Sequence, residues 1–414
     1  MIEPVIITLV GVGGFAQNYV RSIQQMVEEG LARWSSVVIR HPEKYPEDVA
    51  KYREQKITIY TSYEEMLEKE KNRTEIVSLP TSIPTHSVMT ITALKMEYNV
   101  IVEKPPASTI QELDGMIAAE KASSGSVTVG FQDQSKNTVR AIKRAVVMGE
   151  LGAIKEVVVK TRWSRLNSYY TRNSWAGKLI FEGRYVLDGP SNNAMAHYLN
   201  DALYYACPVW HEMAFPVRVR SELYRAHDIE TEDTSCTQVE LTNGTMVYFY
   251  VTHCCREDIG PICEVVGTKG TAYWEKDGPA IFKFNDGTKR IVEDDRHSEY
   301  DEVFRNFIRY LRGADTEINC TLSMTRPFVL TRNGFFLSSQ YVKPVSKQYI
   351  TCESYEGSMK TIIKDMDKII DKAYAERKLF SEIGVPWSRR TKWVDVTNLK
   401  RFEMVFKGVT EKLP

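Results

Sequence analysis

The sequence predicts an α/β protein whose first part is a doubly wound parallel sheet and whose second part is rich in β-structure. Three observations carry that expectation. Apolar strand-like runs alternate with helical segments from the start to about residue 132, the pattern of a parallel sheet covered by helices. The first apolar run leads directly into a glycine-rich turn, Gly11-Val12-Gly13-Gly14-Phe15-Ala16. After residue 150 come runs rich in Val, Thr, Tyr and Phe, residues that suit a pleated surface. The expected domains are 1–132 and 133–414.

In the first domain the strand-like runs are VIITLV (5–10), SVVIR (36–40), ITIY (57–60), EIVSLP (75–80), NVIVEKP (99–105) and VTVGF (127–131). Helical segments at 15–29, 47–55, 62–71, 86–96 and 109–122 separate them. The turn after the first run fits G-x-G-x-x-G/A. Gly11 permits the tight turn, Gly13 lets the backbone approach a pyrophosphate, and Ala16 lets the helix pack closely on the strand. The helix that starts here points free N–H groups at phosphates. A lone match is weak, but this one follows a strand and opens a helix, which points to a dinucleotide.

The second strand ends at Arg40, with no carboxylate until Glu43. An acid at that tip favours a free ribose 2′-hydroxyl, and an arginine accommodates a 2′-phosphate. The tilt is towards NADP(H), although Arg40 could stack on adenine while Glu43 or Glu47 serves the ribose. Lys104 stands at the end of the fifth run, where parallel strands face their ligand crevice. The proline after it favours an extended exit. An ordinary surface lysine fits the same place.

Composition narrows the partners. Lys plus Arg equals Asp plus Glu, 54 each, and no basic block appears, so nucleic acid and anionic membrane are not expected partners. The N-terminal apolar run lacks the basic region and cleavage site of a signal peptide. No apolar stretch approaches the length of a membrane span, so a soluble cytoplasmic protein is expected. All seven cysteines follow residue 200 and none shows C-x2-C spacing. Cys254 and Cys255 are neighbours in a strand-like run and point to opposite faces. His253 beside them suits a structural strand position better than a metal ligand. Reduced, mostly buried thiols and no metal are expected.

In the second domain strand-like runs are expected at 154–164, 235–241, 245–254, 263–268 and 271–276. Between the first two lies DGPSNNAMAHYLNDALYYA (188–206), which reads as one helix. Asn193, His197, Asn200, Asp201 and Tyr204 fall on one face, with Met195, Leu199, Ala202 and Ala206 opposite. A polar face in water usually shows Lys, Glu and Arg, and none occurs from Tyr185 to His211. A solvated stripe and a functional surface both fit these residues. In the tail, 358–378 reads as an amphipathic helix with Met359, Ile362, Ile363, Met366, Ile369 and Ile370 on one stripe, packing back on the body.

The glycine turn, LPTSIPTHS (79–87) and EKP (103–105) together resemble the glucose–fructose oxidoreductase, inositol dehydrogenase and rhizopine-catabolism family. AIKRAVVMGELGAIKEVVVK (141–160), ICEVVGTKGTAYW (262–274) and DEVFRNFIRYLRG (301–313) extend the resemblance, in order, over roughly the first 340 residues. GTKG within it reads as a hairpin turn. The resemblance implies an open, mostly antiparallel sheet in the second domain, and a homodimer or homotetramer associating through that sheet's outer face. It implies NAD(P), held by Gly11, Gly13, Gly14, Phe15, Ala16, Arg40, Pro80, Thr81, His86, Glu103, Lys104 and Pro105. It also sets the family's D-x-G-x-H-x-x-D signature over the polar stretch. His197 matches the histidine, Asn193 and Asn200 stand where the carboxylates would be, and Met195 replaces the glycine.

The activity this implies is hydride transfer between nicotinamide and a carbinol carbon of a sugar, polyol or related hydroxy compound. His197 is expected to be the general base, with Lys104 stabilising charge on the same oxygen. Trp163, Arg165, Tyr169 and Trp175, together with Asn193, His197, Asn200 and Asp201, are the expected substrate-binding residues; aromatic faces and arginines suit a ring with hydroxyls or a carboxylate. Two rivals share the resemblance. One is a glycosidase that oxidises its sugar transiently on bound NAD. The other is a sugar-sensing regulator without turnover, which the presence of both Lys104 and His197 disfavours.

Overall fold

A computed structural model describes residues 3–406, in a chain that divides into two compact units. The first comprises 1–107, 112–136 and 296–325; the second comprises 108–111, 137–295 and 326–414. The boundary expected at residue 132 leaves out the return of 296–325 to the first unit. The outer ends of the expected domains, 1–2 and 407–414, lie outside the described residues.

The first unit holds β1 (Val5–Val10), β2 (Ala32–Val38), β3 (Thr58–Tyr60), β4 (Ile76–Leu79), β5 (Asn99–Val102) and β6 (Val127–Val129). They form one sheet in the order β3-β2-β1-β4-β5-β6, every neighbour parallel. Helices α1 (Ala16–Glu28), α2 (Pro46–Glu54), α3 (Tyr63–Lys69), α4 (His86–Lys95) and α5 (Ile110–Lys121) connect them. The strand order reverses between β1 and β4, and in open α/β sheets ligands bind beyond the carboxyl ends of the strands at such a reversal. The Gly11 turn leaves β1 there. The second strand differs from expectation because β1 already pairs with it at Val5↔Ala32. It therefore starts earlier and ends at Val38, leaving Arg40 in the loop.

Spacing explains α1. Ala16, Tyr19, Val20, Ile23 and Met26 are its apolar buried positions, one stripe at helical period, and Gly30, with φ of +72°, lets the chain reverse after it. The stripe is matched by a later helix of the same unit, α8 in chain order (Glu299–Leu311), whose Val303, Phe304, Phe307 and Ile308 are buried. Tyr19 meets Phe304 edge-on at 5.2 Å. Ser298 caps α8 by accepting the Asp301 N–H, and acids in its first turn complement the helix dipole.

The second unit begins with α6 (Asn137–Val147), β7 (Ile154–Arg162), the two-residue strands β8 (Ile180–Phe181) and β9 (Arg184–Tyr185), and α7 (Ala196–Tyr205). A run of strands follows: β10 (Pro216–Arg225), β11 (Thr234–Leu241), β12 (Met246–Thr252), β13 (Ile259–Gly267), β14 (Gly270–Glu275), β15 (Ala280–Phe284) and β16 (Lys289–Val292). Then come α9 (Arg326–Ser339), β17 (Lys343–Pro344), β18 (Ile350–Tyr355), β19 (Ser358–Ile363), α10 (Met366–Glu376) and β20 (Val394–Asp395). The large sheet runs β16-β15-β14-β13-β7-β12-β11-β10-β17, with β20 also on β10. Its pairs are antiparallel except β7–β12 and β10–β17, so it is mostly antiparallel, as the resemblance implies.

The two faces of this sheet carry different neighbours. Along β10, the Ser221 N–H donates to Ser338 Oγ of α9 at 2.9 Å, and Phe249 of β12 packs on Phe335 of the same helix. The alternate residues face the chain's own tail. Arg220 pairs with Glu382 at 2.6 Å, and Tyr224 meets Trp387 edge-on at 4.9 Å. Val158, Cys236 and Tyr250 join Ile363, Met366, Ile370 and Phe380 in one buried cluster. The tail does pack back on the body. In doing so it covers part of that face of the sheet.

Two helix readings are corrected. Residues 358–378 are not one helix: β18 and β19 pair as a hairpin, and α10 starts only at Met366. Asp365, with φ of +57°, breaks the helical path, and the apolar residues on either side of it serve a strand and a helix in turn. The polar helix starts at Ala196, not near Asp188. A bend at Gly189 and turns over Pro190–Met195 come first, so Asn193 precedes the helix. Nor is α7 amphipathic towards water, since every residue from Ala196 to Tyr205 is buried. That is why its polar side lacks Lys, Glu and Arg: it never meets bulk solvent. The described cysteines are all free, and six of them are buried, Cys352 being exposed. Among the described residues no helix is long and apolar enough to cross a membrane.

Candidate active site

In the first unit the glycine turn has the shape its sequence demands. Gly11 and Gly14 have φ of +88° and +57°, a region costly for side-chain-bearing residues. A Cβ on either would meet nothing within 4 Å, so open space borders the turn. The N–H groups of Gly13, Gly14 and Phe15 find no backbone partner among the described residues, while those of Ala16, Gln17 and Asn18 donate to the carbonyls of Gly13, Gly14 and Phe15. This is an anion cradle at a helix start, and it fits a dinucleotide pyrophosphate. The Gly11 N–H donates to the Val38 carbonyl, which binds the turn to the end of β2. Arg40, two residues on, is exposed and has no carboxylate partner among the described residues. Its neighbour His41 lies 3.2 Å from Glu43.

The EKP stretch follows β5. Lys104 Nζ lies 6.0 Å from the centre of the Phe15 ring, which brings lysine and phosphate turn together. Glu103 points inward. Its carboxylate accepts the Tyr19 hydroxyl at 3.0 Å and the Lys104 backbone N–H at 3.0 Å. Burial pushes the Glu103 pKa up to about 7, against the pull of the Lys104 charge and these two hydrogen bonds. Glu103 therefore anchors the stretch from beneath. His86 is buried as well, with Nδ1 2.8 Å from the Pro105 carbonyl and Nε2 3.0 Å from the Thr81 carbonyl. Burial holds its pKa below the usual value despite those carbonyls. Its ring clips the loop after β4, which carries buried Pro80 and half-buried Thr81, to the EKP stretch. Both ring nitrogens face backbone carbonyls, so any service to the cofactor runs through those two loops.

In the second unit, α7 packs among α6, α9 and strands β7, β12 and β13. His197 and Asp201 are buried at 6 % and 2 % exposure. Asn200 is fully buried, and neither atom of its carboxamide has a hydrogen-bond partner among the described residues. An orphaned buried amide is costly, and both of its polar atoms could serve a ligand. The segment before the helix is pinned from below. Arg332 and Glu232, both buried, pair at 3.1 Å, and Ser191 Oγ donates to Glu232 Oε1 at 2.9 Å. Gly189 is needed there, because a Cβ would stand 2.2 Å from the Glu232 carboxylate.

Asp188 does not cap the helix. Its carboxylate accepts the Gly177 N–H at 2.9 Å and Asn193 Nδ2 at 2.7 Å, and pairs with Arg172 at 3.3 Å. Burial pushes its pKa up to about 6, with Arg172 and the hydrogen bonds pulling the other way. The 163–175 segment gathers around it. Arg172 stacks over Tyr169 at 3.8 Å and lies 5.3 Å from the centre of Trp175. Arg165 lies over Tyr169 at 5.2 Å and Trp163 at 5.7 Å, and Trp163 meets Tyr198 of α7 edge-on. Arg165 has no carboxylate partner among the described residues. Trp163, Arg165, Tyr169, Trp175 and Asn193 therefore belong to one cluster beside α7.

Sequence reasoning gave His253 a structural strand position but found neither His227 nor Asp233, which stand with it behind that cluster. Tyr170 Oη lies within hydrogen-bond distance of His253 Nδ1, at 2.9 Å, and burial, reinforced by Arg165, His227 and Arg172, holds His253 well below its usual pKa. His227, Asp233 and Cys254 offer three buried ligand atoms within 4.8 Å of one another. Asp233 Oδ2 is already engaged by the backbone N–H groups of Ala226 and His227 and by His227 Nδ1, at 2.7, 2.8 and 2.9 Å. Burial would raise the Asp233 pKa, but His227 and these N–H groups hold it below the usual value. A carboxylate so fully used builds a hydrogen-bonded support. His227 and Asp233 carried no sequence signal, because neither falls in a motif or on a recognisable stripe.

Comparison with known proteins extends the geometry. Residues 5–131 match the GFO/IDH/MocA oxidoreductase family with NAD-binding Rossmann fold. Residues 139–273 match the GFO/IDH/MocA C-terminal domain. A protein of Bacillus subtilis strain 168 described as an oxidoreductase, YteT, is 30% identical over 96 residues, which cover 23% of this chain and 22% of that protein. The chain thus matches about a fifth of this curated relative's length. In fold it is similar to the WlbA dehydrogenase of Bordetella pertussis, solved with NADH and UDP-GlcNAcA. The TM-score is 0.67 at 21% identity, over 81% of this chain and 97% of that one. It is also similar to a levoglucosan dehydrogenase solved with NADH and levoglucosan, with a TM-score of 0.69 at 15% identity over 81% and 97% of the two chains.

Proposed function

The chain belongs to the GFO/IDH/MocA family of NAD-binding oxidoreductases, and from that premise we propose that it oxidises or reduces a carbinol carbon of a sugar, polyol or related hydroxy compound. The observation that carries this reading is α7, a helix buried along its whole length whose polar side bears His197, Asn200 and Asp201. Asn200 offers a donor and an acceptor that no described residue satisfies, and a hydroxyl-rich ligand satisfies both at once. Arg165 and Arg172 on their aromatic bed suit hydroxyls or a carboxylate.

The nicotinamide cofactor supplies the hydride chemistry, and Arg40 favours NADP(H) over NAD(H). The protein's residues handle the proton. His197 takes the hydroxyl proton as general base, and Lys104 hydrogen-bonds the same oxygen and stabilises its developing charge. Glu103 and His86 position Lys104 through the hydrogen bonds described above. We propose a cytoplasmic enzyme in which nucleic acid and membrane play no part.

The test is a panel of sugars, polyols and sugar acids with NAD+ or NADP+, followed by the absorbance of the reduced nicotinamide. On any substrate found, His197→Ala and Lys104→Ala are each expected to lower kcat by about 10²- to 10⁴-fold, and His197→Ala leaves nucleotide affinity unchanged. Full turnover by His197→Ala would overturn the role given to α7.

A further inference from the structure

We propose that the Tyr45 hydroxyl donates a hydrogen bond to the pyrophosphate of the bound dinucleotide, adding a cofactor contact from outside the glycine turn. Tyr45 stands between the short turn Pro42–Lys44 and α2, in the loop that leaves β2. Its ring packs against the first unit's core. Its hydroxyl reaches the glycine turn: a Cβ built on Gly13 meets Tyr45 Oη at 2.3 Å and Cζ at 3.0 Å, whereas Gly11 and Gly14 have empty space in the same place.

Position and chemistry then agree. The second glycine of a dinucleotide-binding turn lacks a side chain because the pyrophosphate comes close there. In this chain a phenol oxygen borders that approach. No protein hydrogen bond engages it among the described residues, and the residue is half-buried. A hydroxyl held by a packed ring and left without a partner beside an anion cradle is a preorganised donor. It meets a charged acceptor, for which hydrogen bonds are stronger than between neutral groups. Arg40 serves the ribose end in this reading and Tyr45 the phosphates, so one loop supplies both. The inference rests on the family's dinucleotide binding and not on the substrate reading.

The experiment titrates NADH into wild type and Tyr45→Phe by nicotinamide fluorescence, with ADP and adenosine as competitors. Tyr45→Phe keeps the packed ring and removes an oxygen that holds nothing in the protein, so the thermal midpoint of the nucleotide-free protein stays put. The affinity for NADH and for ADP falls about tenfold, while adenosine, which lacks phosphate, competes as before. Unchanged NADH affinity in Tyr45→Phe overturns the proposal. So does an equal loss for adenosine, which would move the contact to the nucleoside. Tighter NADH binding by Tyr45→Ala also overturns it, because the ring would then be an obstruction. A lowered midpoint in Tyr45→Phe would give the hydroxyl a structural role instead. Failure of wild type to bind any dinucleotide would overturn the inference together with the cofactor assignment.

Discussion

Replacing Asp188 by asparagine should stabilise the second unit at neutral pH and leave it unchanged in acid. Burial pushes the Asp188 pKa up to about 6, from an ordinary 3.8. The folded chain therefore holds its proton where the unfolded chain has released it. Below pH 3.8 the acid is protonated in both states and contributes no difference. As pH rises through 3.8 and on to 6, the wild type loses stability at about 1.4 kcal/mol per pH unit, reaching roughly 3 kcal/mol above pH 6. Asparagine is nearly isosteric and has no such cost. It can still accept the Gly177 N–H, and Asn193 can turn its carbonyl towards the new amide. The advantage of Asp188→Asn over wild type should thus grow by roughly 2 kcal/mol between pH 4.5 and 7.5. Urea unfolding followed by tryptophan fluorescence reads it, because six of the seven tryptophans, all but Trp34, lie in the second unit. Parallel stability curves for the two proteins across that range would show that the buried carboxylate is not strained by its charge.

Further outcomes are expected elsewhere. Arg40→Ala should weaken NADPH about tenfold or more and leave NADH nearly untouched, because only the 2′-phosphate pairs with the guanidinium; equal losses in a binding titration would dismiss the NADP(H) preference. Phe380→Ala empties a fully buried position against Tyr224 and Trp387 and should cost about 3–5 kcal/mol of stability in the second unit, read by urea unfolding. A loss below 1 kcal/mol would mean that the tail is not part of that unit's core.

The first unit was legible because its chemistry is local. Val and Ile runs buried on both faces, separated by helices, leave little choice of architecture, and the glycine turn needs only six consecutive residues. The polar stretch was half legible. Its missing Lys, Glu and Arg betrayed a surface that does not meet water, but Asp-Gly-Pro at 188–190 was read as a helix start. In fact Glu232 and Arg332 hold that segment in turns, from positions far along the chain. The 358–378 segment failed differently, since spacing at 359, 362, 363 and 366 suits a helix stripe and only the backbone at Asp365 shows the break. Tyr45, His227 and Asp233 act through folding that brings distant residues together, and such partnerships leave no periodicity to read.

The first unit's core is finished by a segment from late in the chain. Phe304, Phe307 and Ile308 of α8 fill the surface of α1, and the residues of the second unit up to 295 are made before them. Domains usually complete themselves in order of synthesis, the amino-terminal one first. Here the dinucleotide-binding unit emerges from the ribosome with an apolar flank open at Tyr19, Ile23 and Met26, and it waits for more than 150 residues before α8 arrives. The second unit is delayed as well, until the tail through Trp387 is made. Neither half can be released early, so a chain broken off anywhere before the end of α8 leaves both units with exposed core, a target for chaperones and proteases.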